Sequence, residues 1–252
     1  MRAIIFASSL VVLSALACAA PVQPAAADTK QVQDIRWEVT PEAGKKAQPK
    51  LHLRHKRANS DLSLDAELPD RRPEFAAARS ALSLAGPVHF TVKHAAGTLD
   101  CTGQVTRPYA GNGQCSFAPD AGFGRALSER GLAPSEPAGQ LTMLMVDATI
   151  ELADGLIREG VPPTEAEDLI AAAALNVTGE YVREIKSEAI LLTDIDDAIA
   201  CRALGVDGAY VRELAAAGYR KLSAEDVVGM KALGVTGEYA AAMNRATKKE
   251  AK

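Results

Sequence analysis

The chain lacks the signatures that would anchor most enzymatic readings. There is no HExxH, which leaves a zincin-type protease unsupported, and no GxSxG, which leaves a hydrolase nucleophile without its elbow. Asp194, Asp196 and Asp197 suggest calcium at first sight, but they lack the acidic ladder and central glycine of an EF-hand and read instead as cap and first-turn residues. A strong basic excess is missing too. The 28 Lys and Arg are outnumbered by 32 Asp and Glu, a net charge of −4, which excludes the electrostatic footprint of a nucleic-acid binder. After the first residues, no apolar run is long enough to cross a bilayer.

What is present begins with MRAIIFASSLVVLSALACAA, one Arg followed by apolar and small residues, and then an Ala-x-Ala sequence ending at Ala27. That is the layout of a secretory signal peptide over 1–27, with a mature chain starting near Asp28. The expected location is therefore periplasmic or secreted. An uncleaved leader or a lipid on Cys18 would instead hold the chain at the membrane.

Three cysteines follow the leader. In an oxidising compartment Cys101 and Cys115 are the natural disulfide pair, worth on the order of 3 kcal/mol for a loop of that size. Cys201 is left over within an apolar helical pattern and reads as an inert core residue.

Residues 28–120 carry slightly more basic than acidic side chains, whereas 121–252 are strongly acidic. The first stretch contains alternating runs, IRWEV, LHLRH, LSLDAEL, VHFTV, TLDCT and QCSF, and alternation at period two predicts strands. Gly111-Asn112-Gly113 is expected to turn the chain between the last two, placing Cys101 and Cys115 on facing strands. Arg72 to Leu84 predicts a short helix lying on the sheet, and residues 40–50 a loop.

The second stretch repeats itself. Tyr181, Tyr210 and Tyr239 recur at a spacing of 29, within LNVTGEYVREI, LGVDGAYVREL and LGVTGEYAAAM. Apolar partners follow four residues later at Ile185, Leu214 and Met243. A period in this range predicts stacked helical hairpins. Ser223, Thr236, Asp207 and Thr178 fit N-caps, and Gly234 and Gly205 fit helix stops. The expected architecture is thus α+β: a small antiparallel β unit over 28–120, an α-solenoid-like array of hairpins over 121–246, and a polar, frayed tail over 247–252.

Few residues invite chemistry. His52 and His55 lie three apart on a strand and so face opposite sides, a poor chelate, and no metal or other cofactor is expected. No catalytic residue is assigned. Lys50, Arg54, Lys56 and Arg57, in KLHLRHKR, form the densest basic run and fit either a solvated strand end or a patch for an anionic envelope polymer. Arg183 and Arg212 lie where the copies of the repeat present their exposed faces.

The phrases LNVTGEYVREI and LGVDGAYVRELAAAGYRKLSAEDVVGMKALGVTGEYAAAM resemble the extracytoplasmic helical repeats behind bacterial metallopeptidase regulators of the BlaR type and in their stand-alone exported relatives. AGTLDCTGQV and GNGQCSFAPDAGFGRAL resemble the segment leading into such repeats, so the similarity spans roughly 37–243. It implies a binding or sensing role and carries over no catalytic residue. The resulting expectation is a non-enzymatic exported protein offering a helical surface to a protein or peptide partner. The alternative is a small-ligand or anionic-polymer binder that uses the β unit.

Overall fold

The computed structural model describes residues 31–41, 49–56, 61–68, 72–186 and 190–250. The leader with Cys18, residues 42–48 of the expected loop, Arg57 and the last two residues of the tail lie outside them.

The alternating runs form six strands: β1 (Val32–Thr40), β2 (Lys50–Lys56), β3 (Asp61–Glu67), β4 (Gly86–His94), β5 (Gly97–Arg107) and β6 (Ala110–Pro119). They make one sheet in the order β3-β2-β1-β6-β5-β4, with every neighbouring pair antiparallel. One face is apolar because alternation sends Ile35, Trp37, Leu53, Phe90, Leu99 and Phe117 to the same side. Two helices cover that side, α1 (Ala76–Leu82) against β4 and α3 (Pro137–Val146) against β1, β3, β5 and β6.

The remaining helices are α2 (Ala121–Ser128), α4 (Ile150–Arg158), α5 (Ala166–Ala174), α6 (Gly179–Lys186), α7 (Ile195–Ala203), α8 (Gly208–Ala216), α9 (Ala224–Ala232) and α10 (Gly237–Glu250). Their ends follow local rules. Asp120, Thr149, Asp194, Asp207 and Ser223 accept backbone hydrogen bonds as N-caps, and Ser223 with Asp226 closes a capping box. Gly205 and Gly234, at the helix stops, have φ of +68° and +71°.

The expected architecture is corrected in one respect. The fold is α+β, but it is not a small β unit followed by an α-solenoid-like hairpin array with a 29-residue period. The sheet is large, with β4, β5 and β6 running 9, 11 and 10 residues, longer than typical strands. Its apolar face is too wide to close upon itself, so one core extends from Val32 through α2 and α3 to Leu169 of α5. Contacts among the helices are sparse by comparison. The helices are short and many of their buried positions are Ala, and several connections between them are single hydrogen bonds to helix ends. Lys186 Nζ donates to the carbonyl of Glu159 (2.6 Å), Arg202 Nε to Leu175 (3.1 Å) and Asn244 Nδ2 to Ala217 (2.8 Å). Each satisfies a carbonyl that the helix leaves without a partner. A second, smaller core gathers Leu156, Tyr181, Val182, Ile185, Tyr210 and Leu214.

Two local expectations also change. The chain turns between β5 and β6 at Pro108-Tyr109, with Tyr109 at φ +57°, and Gly111-Asn112-Gly113 lies inside β6. The glycines there have a packing cause: a Cβ on Gly113, or on Gly103 opposite it, would run into the indole of Trp37. That indole lies across both strands and donates from Nε1 to the carbonyl of Thr102 (2.9 Å). The tail, expected to fray, continues α10 as far as Glu250.

Candidate functional site

The same alternation that fills the core leaves the other face of the sheet polar. Register makes this face continuous. Ser63 pairs with Arg54, Arg54 with Arg36, Arg36 with Gln114, Gln114 with Thr102, and Thr102 with His89, a row crossing all six strands. All six residues are exposed. In the adjacent row Asp65, His52, Glu38, Asn112 and Gln104 stand side by side.

A depression of about 730 Å³ opens on this face, bordered by Asp34, Arg36, Arg54, Lys56, Asp61 and Gln114. A second, of about 500 Å³, adjoins it and shares Arg36, Arg54 and Gln114. Arg36 and Arg54 are direct cross-strand neighbours. Two like charges so placed repel each other. Neither has a carboxylate within salt-bridge distance among the described residues, and the same holds for Lys56. His55 also borders the depression, and its Nδ1 is buried without a hydrogen-bond partner.

The residues singled out from sequence separate into two groups. Arg54 and Lys56 stand together on the open face, joined by Arg36. Lys50 is on the same strand but at its other end, opposite Thr40. Arg57 lies outside the described residues. On the helices, Arg183 is already engaged, with Nε and Nη2 at 3.1 and 2.6 Å from Glu159 Oε1, a hydrogen bond that raises its pKa. Arg212 lies 4.0 Å from Glu184. Near Arg183 a shallow groove of about 330 Å³ runs between α4 and α6, with Arg158, Glu151, Glu159 and Glu180 on its walls. Its charges are mixed, and Arg183 is paired with Glu159.

Cys101 and Cys115 are directly opposed on β5 and β6, with Cα atoms 4.0 Å apart, and form a disulfide on the buried face. Cys201 is buried in the smaller core, and burial pushes its thiol up to about 11, so it stays protonated near neutrality. The four histidines do not converge. His52 bonds Asp65 and Thr40, His89 faces Asp100 (3.0 Å), and His94 reaches Asp147 (3.2 Å) at the far end of β4. Among the described residues no group of three or more His, Cys, Asp or Glu could hold a metal.

Arg36, Gln114 and Ser63 escaped the sequence reading. The signal for Arg36 was present, since alternation in IRWEV sends it away from Trp37. Its proximity to Arg54 depends on the pairing of β1 with β2, which no local pattern specifies.

Compared with family models, with curated proteins and with solved structures, the chain matches none.

Proposed function

We propose that this is a non-enzymatic, exported binding protein whose ligand is anionic and lies on the open face of the sheet. The observation that carries this reading is the cross-strand Arg36–Arg54 pair, which lines the depression of about 730 Å³ with no carboxylate within salt-bridge distance among the described residues. An anion between them relieves their repulsion, and guanidinium forks match carboxylate and phosphate oxygens in pairs. The helical surface is the weaker choice, because Arg183 is spent on Glu159 and Arg212 faces Glu184. Export rests on the signal-like leader, and the resemblance to BlaR-type repeats suits an envelope role. No helix among the described residues is long and apolar enough to cross a membrane.

Titration of the protein with citrate, followed by backbone amide NMR, tests the reading. Shifts are expected on β1, β2 and β6 around Arg36, Arg54 and Gln114, and they disappear in an Arg36→Gln/Arg54→Gln double variant. Shifts confined to α4 and α6 would move the site to the helices and overturn it.

A further inference from the structure

The open face holds more than cations, and its other groups narrow the ligand. Asp34 and Asp61 share the depression with Arg36, Arg54 and Lys56, and Glu38 stands one residue pair further along β1. Between and beyond the charges are neutral hydrogen-bonding side chains: Ser63, Gln114, Thr102, Asn112 and Gln104. Strands in a sheet are roughly 4.8 Å apart, so the row from Ser63 to His89 offers a track on the order of 24 Å long. The ladder hydrogen bonds occupy the backbone, so recognition on this face falls to side chains.

Resting on the reading of this face as an anion site, we propose that the ligand is an acidic polysaccharide, a chain of sugars bearing carboxylates at intervals, laid across the strands along this row. Carboxylates of the sugar seat on Arg36 and Arg54, and its hydroxyls donate to Asp34, Asp61 and Glu38 and exchange hydrogen bonds with the amide and hydroxyl side chains. A more densely charged chain, with several anions on each sugar or a phosphate at every short link, such as dextran sulfate or a polyphosphate, has few free hydroxyls and would bring excess charge against those three carboxylates, a repulsive element that selects against it. A nucleic acid is disfavoured on separate grounds. The large aromatic rings of the sheet, Trp37, Phe90 and Phe117, are buried on the opposite side, so among the described residues this face offers no Trp, Tyr or Phe platform for base stacking. An extended acidic peptide would forgo the backbone pairing that makes strand edges its usual site.

Calorimetric titration of the full chain with polygalacturonate, dextran, dextran sulfate and polyglutamate tests this. Polygalacturonate is expected to bind, dextran to show no heat, and dextran sulfate and polyglutamate to bind at least tenfold more weakly than polygalacturonate. Arg54→Gln should weaken polygalacturonate about tenfold and Arg36→Gln/Arg54→Gln should abolish it. Asp61→Asn should narrow the gap between polygalacturonate and dextran sulfate. All three residues are exposed, and an unchanged far-ultraviolet dichroism spectrum checks the fold. If dextran sulfate or polyglutamate binds as tightly as polygalacturonate, and the double variant abolishes that binding, the anion site stands and the polysaccharide assignment falls. If no anionic polymer binds, or binding survives the double variant, both fall.

Discussion

The sheet and the helices of this protein are built by different kinds of rule. On the sheet, a residue's role depends on partners far away in sequence. Gly103 and Gly113 must lack side chains because the Trp37 indole lies over them, and Arg36 becomes part of a site only because β2 brings Arg54 beside it. In the helices most roles are settled within four residues, as in Asp207 accepting from the amide of Tyr210 (2.8 Å), or Thr236 from that of Tyr239 (3.2 Å). Long-range ties among the helices are fewer and often single bonds, such as Tyr181 Oη to the carbonyl of Val206 (2.9 Å) and Tyr210 Oη to that of Val235 (2.8 Å). The lesson is that a broad apolar face holds distant segments together by area, while the short helices combine a smaller apolar core with individual polar contacts at their ends.

Substitutions at the two kinds of contact sharpen this contrast. The largest loss should follow Trp37→Ala, which empties a volume shared by β1, β5, β6 and the ring of Phe90, 5.6 Å away between centroids. Removal of a buried Trp costs about 3–5 kcal/mol, read as a drop in the urea midpoint. A variant within 1 kcal/mol of the parent would show that the sheet core is not organised around this residue. Next comes reduction of Cys101–Cys115, expected to cost about 3 kcal/mol by freeing the unfolded chain. Loss of the β5 and β6 amide protection before that of α7 to α9 would place the damage in the sheet, as expected.

On the helical side the effects should be smaller and local. Tyr210→Phe removes the bond to Val235 and should cost about 1 kcal/mol, whereas Tyr239→Phe, at a side chain 56% exposed, should cost almost nothing. Equal effects would contradict the role given to the hydroxyl. Asp207→Ala, which removes the cap of α8, should also cost about 1 kcal/mol, and Asp207→Asn should restore most of it.

The smallest expected effect lies where the two regions meet. His94, its side chain 6% exposed, accepts from the amide of Ala96 through Nδ1 (3.0 Å) and faces Asp147 through Nε2 (3.2 Å). Burial lowers its pKa from the ordinary 6.5, and the hydrogen bond that Nε2 donates to the Asp147 carboxylate only partly opposes this. The folded protein thus binds this proton less readily than the unfolded chain does. Its contribution to stability is present above pH 6.5 and declines as the pH falls below it toward the lowered folded value. Urea midpoints at pH 7.5 and 5.5 should differ less in a His94→Gln variant than in the parent. An unchanged difference would remove His94 as a source of the slope.

Much of this could be read in advance, and the reason differs from element to element. All six strands were visible because alternation at period two is written into IRWEV and VHFTV, and the helix caps were visible because a cap and its amide are three residues apart. The disulfide was legible because two facing strands are separated by one tight connection, although the position of that connection was not: Gly111-Asn112-Gly113 resembles a turn until it is known that Gly113 lies under the Trp37 ring and Gly111 against the backbone of β5. The extent of the sheet was misjudged for the same reason. Six strands can make a small closed unit or one wide sheet, and only their pairing order decides. The repeated phrases LGVDG and LGVTG suggested an array because identical local signals recur, yet identical caps and stops do not measure how much side-chain surface the helices share.

The candidate site shows the same division. Arg54 and Lys56 stood out as parts of a dense basic run, but so did Lys50, and Arg183 and Arg212 drew notice as exposed cations on repeated helices. Net charge and spacing cannot distinguish a cation with a carboxylate waiting from one without. Sequence by itself determined which residues face inward along each strand, where several of the repeated helices start and stop, and which cysteines lie close enough to join, since all of these depend on neighbours within one turn, one strand or one tight connection. Tertiary structure alone decided the strand order, the single core running from the sheet into α5, and the meeting of Arg36 with Arg54. Those depend on which segments come together across long stretches of chain, and the free energy that selects them is spread over the whole buried face rather than held in any local phrase.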